Sequence, residues 1–89
     1  MYRVSDTVHS THNQDGAIVL DVQRGQMFSL NFVGSRILEL LKSGYTELEI
    51  VDEISREVGV RRDLAEIDVR EFLQTLKERL LVEEREASG

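Results

Sequence analysis

The apolar positions of this chain change period near residue 31, from about two to about 3.6. That switch predicts a β-patterned front and a helical back. Ile18, Leu20 and Val22 alternate with Ala17, Val19 and Asp21, the period of a half-buried strand. Asp15-Gly16 just before this run is a tight-turn signal, since glycine takes positive φ without steric cost. Ser5 to Thr11, rich in Thr, Val and Ser, supplies an earlier strand. Gln23-Arg24-Gly25 makes a second turn with Gly25 in the left-handed region. Met27 to Leu30 then forms a third strand, with Phe28 and Leu30 on one face and Met27 and Ser29 on the other. The three strands make an antiparallel meander.

Asn31 ends that strand and suits the N-cap of a first helix over 32–42. Val33, Ile37, Leu40 and Leu41 fall on one face of it. Gly34 in its first turn permits a close approach to the sheet, and Gly44 stops the helix. Thr46-Glu47-Leu48-Glu49 is a capping box that opens a second helix. Ile50, Val51, Ile54 and Val58 form its stripe, and Gly59 ends it. Asp63-Leu64-Ala65-Glu66 repeats the capping device in aspartate form. The third and longest helix carries Ala65, Val69, Phe72, Leu73, Leu76 and Leu80 on its core face. The expected architecture is α+β and winged helix-turn-helix-like: a three-stranded antiparallel meander followed by three helices. One domain spans residues 1–82, and a polar tail, 83–89, follows it.

Composition narrows the function. With 89 residues there is room for one core. The chain has no cysteine, which removes disulfides, thiolate zinc sites and cysteine nucleophiles and points to the cytoplasm. No apolar run approaches the roughly 20 residues that span a bilayer, and the first residues lack the apolar segment of a secretory signal. His9 and His12 leave opposite faces of a strand and cannot close on one metal. No glycine-rich phosphate loop precedes a helix. Acids beside bases, such as Glu66 with Arg70 and Glu78 with Arg79, read as solvated helix faces. The expectation is therefore no catalytic residue, no metal, no cofactor and no membrane partner.

A meander joined to three helices is also how a winged helix reads DNA, with its third helix in the major groove. Here Arg61, Arg62, Arg70, Lys77 and Arg79 are balanced by Asp63, Glu66, Asp68, Glu71 and Glu78. The whole chain carries a net charge of −6. Affinity for nucleic acid starts from phosphate neutralisation, which this helix cannot supply. Peptide recognition remains. The last strand of a meander leaves backbone N–H and C=O groups unpaired, and an extended peptide can add to it. Met27 offers an adaptable thioether there. Leu64 and Ile67, off the main stripe of the third helix, either widen its buried face or line a groove beside the strand.

The order and spacing of these segments resemble the PqqD-like proteins. The run Ile18 to Asn31 is similar to their strand–turn–strand–Asn signature. Gly34, Ile37, Leu40, Leu41 and Gly44 follow it, then the helix start at Thr46, then Asp68-Val69-Arg70-Glu71-Phe72-Leu73 with Leu76, Leu80 and Leu81. The resemblance covers about Val4 to Val82. It implies a recognition element for ribosomally made, post-translationally modified peptides. Such domains take the leader of a precursor as an added strand beside the third strand, against the third helix, and present the precursor to a partner enzyme. Carried over by position, the docking strand is Gln26, Met27, Phe28, Ser29 and Leu30. The helical wall is Leu64, Ile67, Asp68, Glu71, Phe72 and Thr75, and its acids favour leaders carrying Lys or Arg. Chaperones of pyrroloquinoline quinone synthesis carry a Pro-Glu-Gly turn where this chain has Val22-Gln23-Arg24-Gly25 and no proline. The turn looks more like that of the standalone leader-binding proteins of lasso-peptide assembly, whose partner is a leader-cleaving protease. The alternatives are the quinone-precursor chaperone and, from another class, a winged-helix DNA regulator.

Overall fold

The computed structural model describes residues 2–84. In chain order the elements are β1 (Tyr2–Val4), β2 (Val8–Asn13), β3 (Gly16–Asp21), β4 (Gln26–Asn31), α1 (Phe32–Lys42), α2 (Glu47–Val58), α3 (Arg62–Glu78) and β5 (Val82–Glu84). β2, β3 and β4 form the antiparallel meander in that spatial order. Its first strand starts at Val8, three residues beyond the sequence expectation. The first turn is fixed by Asn13, whose Oδ1 accepts from the backbone N–H groups of Asp15 (2.8 Å) and Gly16 (3.0 Å). Gly25 closes the second turn at φ 64°.

Of the two faces of β3, the one with the larger apolar side chains stays outside. Ala17, Val19 and Asp21 are buried under α1, whereas Ile18, Leu20 and Val22 remain exposed. Small side chains at 17 and 19 let a helix lie close to the sheet. Asp21 has no exposed surface, yet it is satisfied: its carboxylate accepts from Thr7 Oγ1 (3.3 Å) and the Arg24 backbone N–H (3.2 Å), with the Arg24 guanidinium at 3.5 Å. It therefore locks the β3–β4 turn onto the turn between β1 and β2. Asp21→Ala is expected to lower stability by about 2 kcal/mol, since two donors lose their buried acceptor. Urea unfolding measures this, and a loss below about 0.5 kcal/mol would show the turn to be held otherwise.

β4 passes into α1 with no loop. Asn31 is both the last strand residue and the N-cap, accepting from Gly34 N–H at 2.8 Å. At the other end, Gly44 donates to the Leu41 carbonyl and Tyr45 to that of Leu40, the Schellman closure expected of a C′ glycine. The Thr46–Glu49 capping box is formed in full. Val58, expected in the α2 stripe, is 42% exposed because the helix ends there. Arg36 on α1 grips Glu57 on α2 through two bonds of 2.8 and 2.7 Å, which hold the Glu57 carboxyl below the ordinary carboxylate range.

Three features of α3 differ from the sequence reading. Its N-cap is Arg61, with no side-chain cap bond; Asp63 lies inside the helix and pairs with Arg61 at 2.6 Å. Leu80 is exposed and Leu81 buried, because the helix stops at Glu78 and the chain reverses. Leu80 takes φ 60° and donates to the Lys77 carbonyl while Leu81 donates to that of Leu76, a Schellman turn built on leucine. The reversal sends the chain into β5, which pairs antiparallel with β1 in a separate two-stranded ribbon. The polar tail expected from Glu83 thus begins with two strand residues. Arg3 opposite Glu83 is a favourable cross-strand pair, and ladder bonds come from the backbone whatever the side chain. The remainder of that tail, 85–89, lies outside the described residues. No described helix is long and apolar enough to cross a membrane.

Candidate functional site: the open edge of β4 beside α3

β4 pairs with β3 on one side only. Val22 N–H donates to the Thr7 carbonyl at 3.1 Å, which sets the alternation: even-numbered residues of β3 bond toward β2, odd-numbered ones toward β4. Gln26, Phe28 and Leu30 are opposite those odd-numbered residues, so their backbone groups are used. The backbone groups of Met27 and Ser29 and the N–H of Asn31 face the open side, the Asn31 carbonyl being taken by the first turn of α1. Side chains alternate in the same strand, with Phe28 and Leu30 half-buried and Met27 and Ser29 exposed, as the sequence predicts.

α3 stands across from this edge without closing on it, since it packs on α2 and β5 while β4 packs on β3 and α1. The gap is a cleft in two connected parts. One, of about 430 Å³, is lined by Met27, Phe28, Ser29 and Leu30 from the strand and by Phe72, Thr75, Leu76 and Arg79 from the helix end, with Leu81 below. The other, of about 330 Å³, lies among Asn31, Val33, Gly34, Ile37, Asp68 and Phe72. Phe72 belongs to both.

Asp68, Phe72, Thr75 and Arg79 are spaced to lie on one helical face, which is why they share the cleft. Ile67 and Glu71 fall on the next face and do not line it. Leu64, one turn before Asp68, is on the same face but does not line the cleft, and it is exposed. The sequence reading missed Asn31, Val33, Gly34, Ile37, Leu76, Arg79 and Leu81. Gly34 had a signal with the wrong partner: a Cβ there would sit 3.0 Å from the Phe72 ring, so its small size admits α3's phenylalanine and not the sheet. The wall is also not uniformly acidic. Asp68 and Arg79 are eleven positions apart, about 16 Å along the helix, which puts an acid at one end of the cleft and a base at the other.

Away from the cleft, His12 makes a polar seam between β2 and α1. Its Nδ1 lies 2.7 Å from Ser35 Oγ and 3.1 Å from Glu39 Oε1, and its Nε2 lies 3.0 Å from Ser10 Oγ. The connectivity Ser10–His12–Glu39 is that of a nucleophile, base and orienting acid. However, one ring nitrogen serves two partners, Lys42 donates to Ser10 Oγ, and none of these residues lines the cleft. They join helix to sheet. Among the described residues, no group of three His, Cys, Asp or Glu converges as a metal site.

A meander with one free margin, set across a cleft from the last of three helices, defines a small winged-helix-like module. The family model "Coenzyme PQQ synthesis protein D (PqqD)" matches residues 16–82, and the chain belongs to that family. Two solved structures are similar to it. One, described as TbiB1 in complex with the TbiA(beta) leader peptide, is 42% identical, with a TM-score of 0.87 over 94% of this chain and 98% of that one. The other, a lasso peptide synthetase B1 complexed with the leader peptide, is 23% identical and shares the fold at a TM-score of 0.83 over 93% of this chain and 98% of that one. A search of curated protein sequences returns no match.

Proposed function

We propose that this chain is a non-catalytic adapter of the cytoplasm that captures the leader segment of a ribosomally made precursor. The leader adds as a strand to β4 and is presented to a modifying enzyme, the leader-cleaving protease of lasso-peptide assembly. The observation that carries this reading is the open margin at Met27, Ser29 and Asn31 beside a cleft with Phe28, Leu30 and Phe72 in its lining. Backbone bonds along that margin supply affinity, and pockets against Phe28, Leu30 and Phe72 supply selectivity. Leu64 continues the wall for a leader longer than the strand. The 42% identity to a protein solved with a leader peptide supports the lasso branch, as does the proline-free turn at 22–25. The family model's own description favours the second reading, a chaperone of the quinone precursor peptide.

Titrating the ¹⁵N-labelled chain with the TbiA(beta) leader peptide tests the reading. The expected amide shifts cluster at 27–31 and along the Asp68–Arg79 face of α3. Shifts confined to α2 or to the outer face of the sheet, or none at about 1 mM peptide, would overturn it.

A further inference from the structure

Arg79 breaks the charge pattern of this molecule. Every other arginine among the described residues lies against a carboxylate. Arg79 does not, in a chain whose net charge is −6. Glu78, the partner its sequence position suggests, accepts from Gln74 at 3.4 Å instead. The Arg79 guanidinium lies over the Phe28 ring, 4.8 Å from its centroid, at the mouth of the larger part of the cleft. The ring's negative face holds the cation without giving its N–H donors an oxygen acceptor. The Schellman turn at Leu80 keeps Arg79 at the end of the wall. A guanidinium in that setting is a fork for a carboxylate.

Resting on the adapter reading above, we infer that Arg79 is a subsite for an Asp or Glu side chain of the captured peptide. The acid occupies the position of the added strand that faces α3 beside Phe28. The subsite thereby fixes the register of a strand that backbone bonds alone would let slide by two residues. Asp68, about 16 Å away at the other end, disfavours an acid there and so opposes the reversed placement.

Selection from a displayed library of random peptides of about twelve residues, blocked at the C-terminus so that no terminal carboxylate competes, tests this. It is run in parallel on the wild-type chain, on Arg79→Glu, on Arg79→Gln and on Ser29→Pro. The wild-type pool should fix Asp or Glu at one position of an apolar, strand-forming consensus. Arg79→Glu should bring Lys or Arg to that position, and Arg79→Gln should leave it unselected. In an amidated synthetic copy, replacing the acid by alanine should weaken wild-type binding about fivefold to tenfold and leave Arg79→Gln unchanged. A wild-type pool lost on Ser29→Pro but lacking any acidic position, or the same acid on wild type and Arg79→Glu, removes the subsite and leaves the groove reading standing. If no pool emerges, or Ser29→Pro does not alter it, the groove reading itself fails and the subsite with it.

Discussion

Ser29→Pro is expected to fold as the wild type does and to bind an extended peptide at least about tenfold more weakly. The Ser29 amide faces the open side of β4, so proline there removes no bond of the β3–β4 ladder. An edge strand whose N–H looks outward is where a sheet accepts proline. For a peptide adding to that edge, the same change deletes a donor, worth about 1 kcal/mol, and puts the ring where the incoming backbone must lie. Fluorescence anisotropy with the labelled TbiA(beta) leader measures the loss, and circular dichroism with urea unfolding checks the fold. A folded Ser29→Pro chain with wild-type affinity would mean that the peptide docks elsewhere. At Phe28, whose backbone groups bond to β3, proline should instead unfold the meander, and that contrast separates an open edge from general damage.

Gly16→Ala should destabilise the chain by about 3 kcal/mol or more, the largest effect expected among alanine substitutions of the described glycines. Gly16 opens β3 at φ 154°, where L side chains are rarely found. A Cβ built there would lie 1.8 Å from the Leu30 carbonyl oxygen, so the backbone of β4 would have to move. That backbone is part of the cleft, and peptide binding should fall together with stability. For a domain of this size the loss is a large share of the total, roughly 5–12 kcal/mol. The check is the urea midpoint at unchanged slope. A shift below about 1 kcal/mol would show that the hairpin relaxes around the added carbon. Gly25 provides the control: it also has positive φ, but a Cβ there meets nothing, so Gly25→Ala should cost only about 1 kcal/mol.

The local elements were readable because their causes are local. The bounds of α1 follow from an N-cap asparagine and a C′ glycine, and those of α2 from a capping box and Gly59, each acting within one turn of its own backbone. The last strand of the meander and the helix opposite it were readable for the same reason, from alternation at 26–30 and helical spacing at 65–76. Where the period was followed past its cause it misled. Leu80 continues the stripe of α3 on paper, but the helix has already ended, and Leu81 takes the buried place.

Placement between distant segments was not readable. Alternation names two faces of β3 and cannot choose which one a helix covers; α1 chose the face whose small Ala17 and Val19 let it approach, leaving Ile18 and Leu20 outside. The pairing of β1 with β5 joins the two ends of the described chain through backbone bonds that leave no trace in side-chain pattern. The same holds for the charge on the cleft wall. Asp68 and Glu71 are three positions apart on one helix, but only Asp68 lines the cleft, and Arg79 lies beside Phe28 where the chain turns at Leu80. The sequence by itself determined the three strands of the meander, the three helices and that one strand ends the meander. Tertiary packing decided how far α3 stands from that strand and which side chains look into the space between, because helix rotation and spacing are set by contacts among residues far apart in the chain.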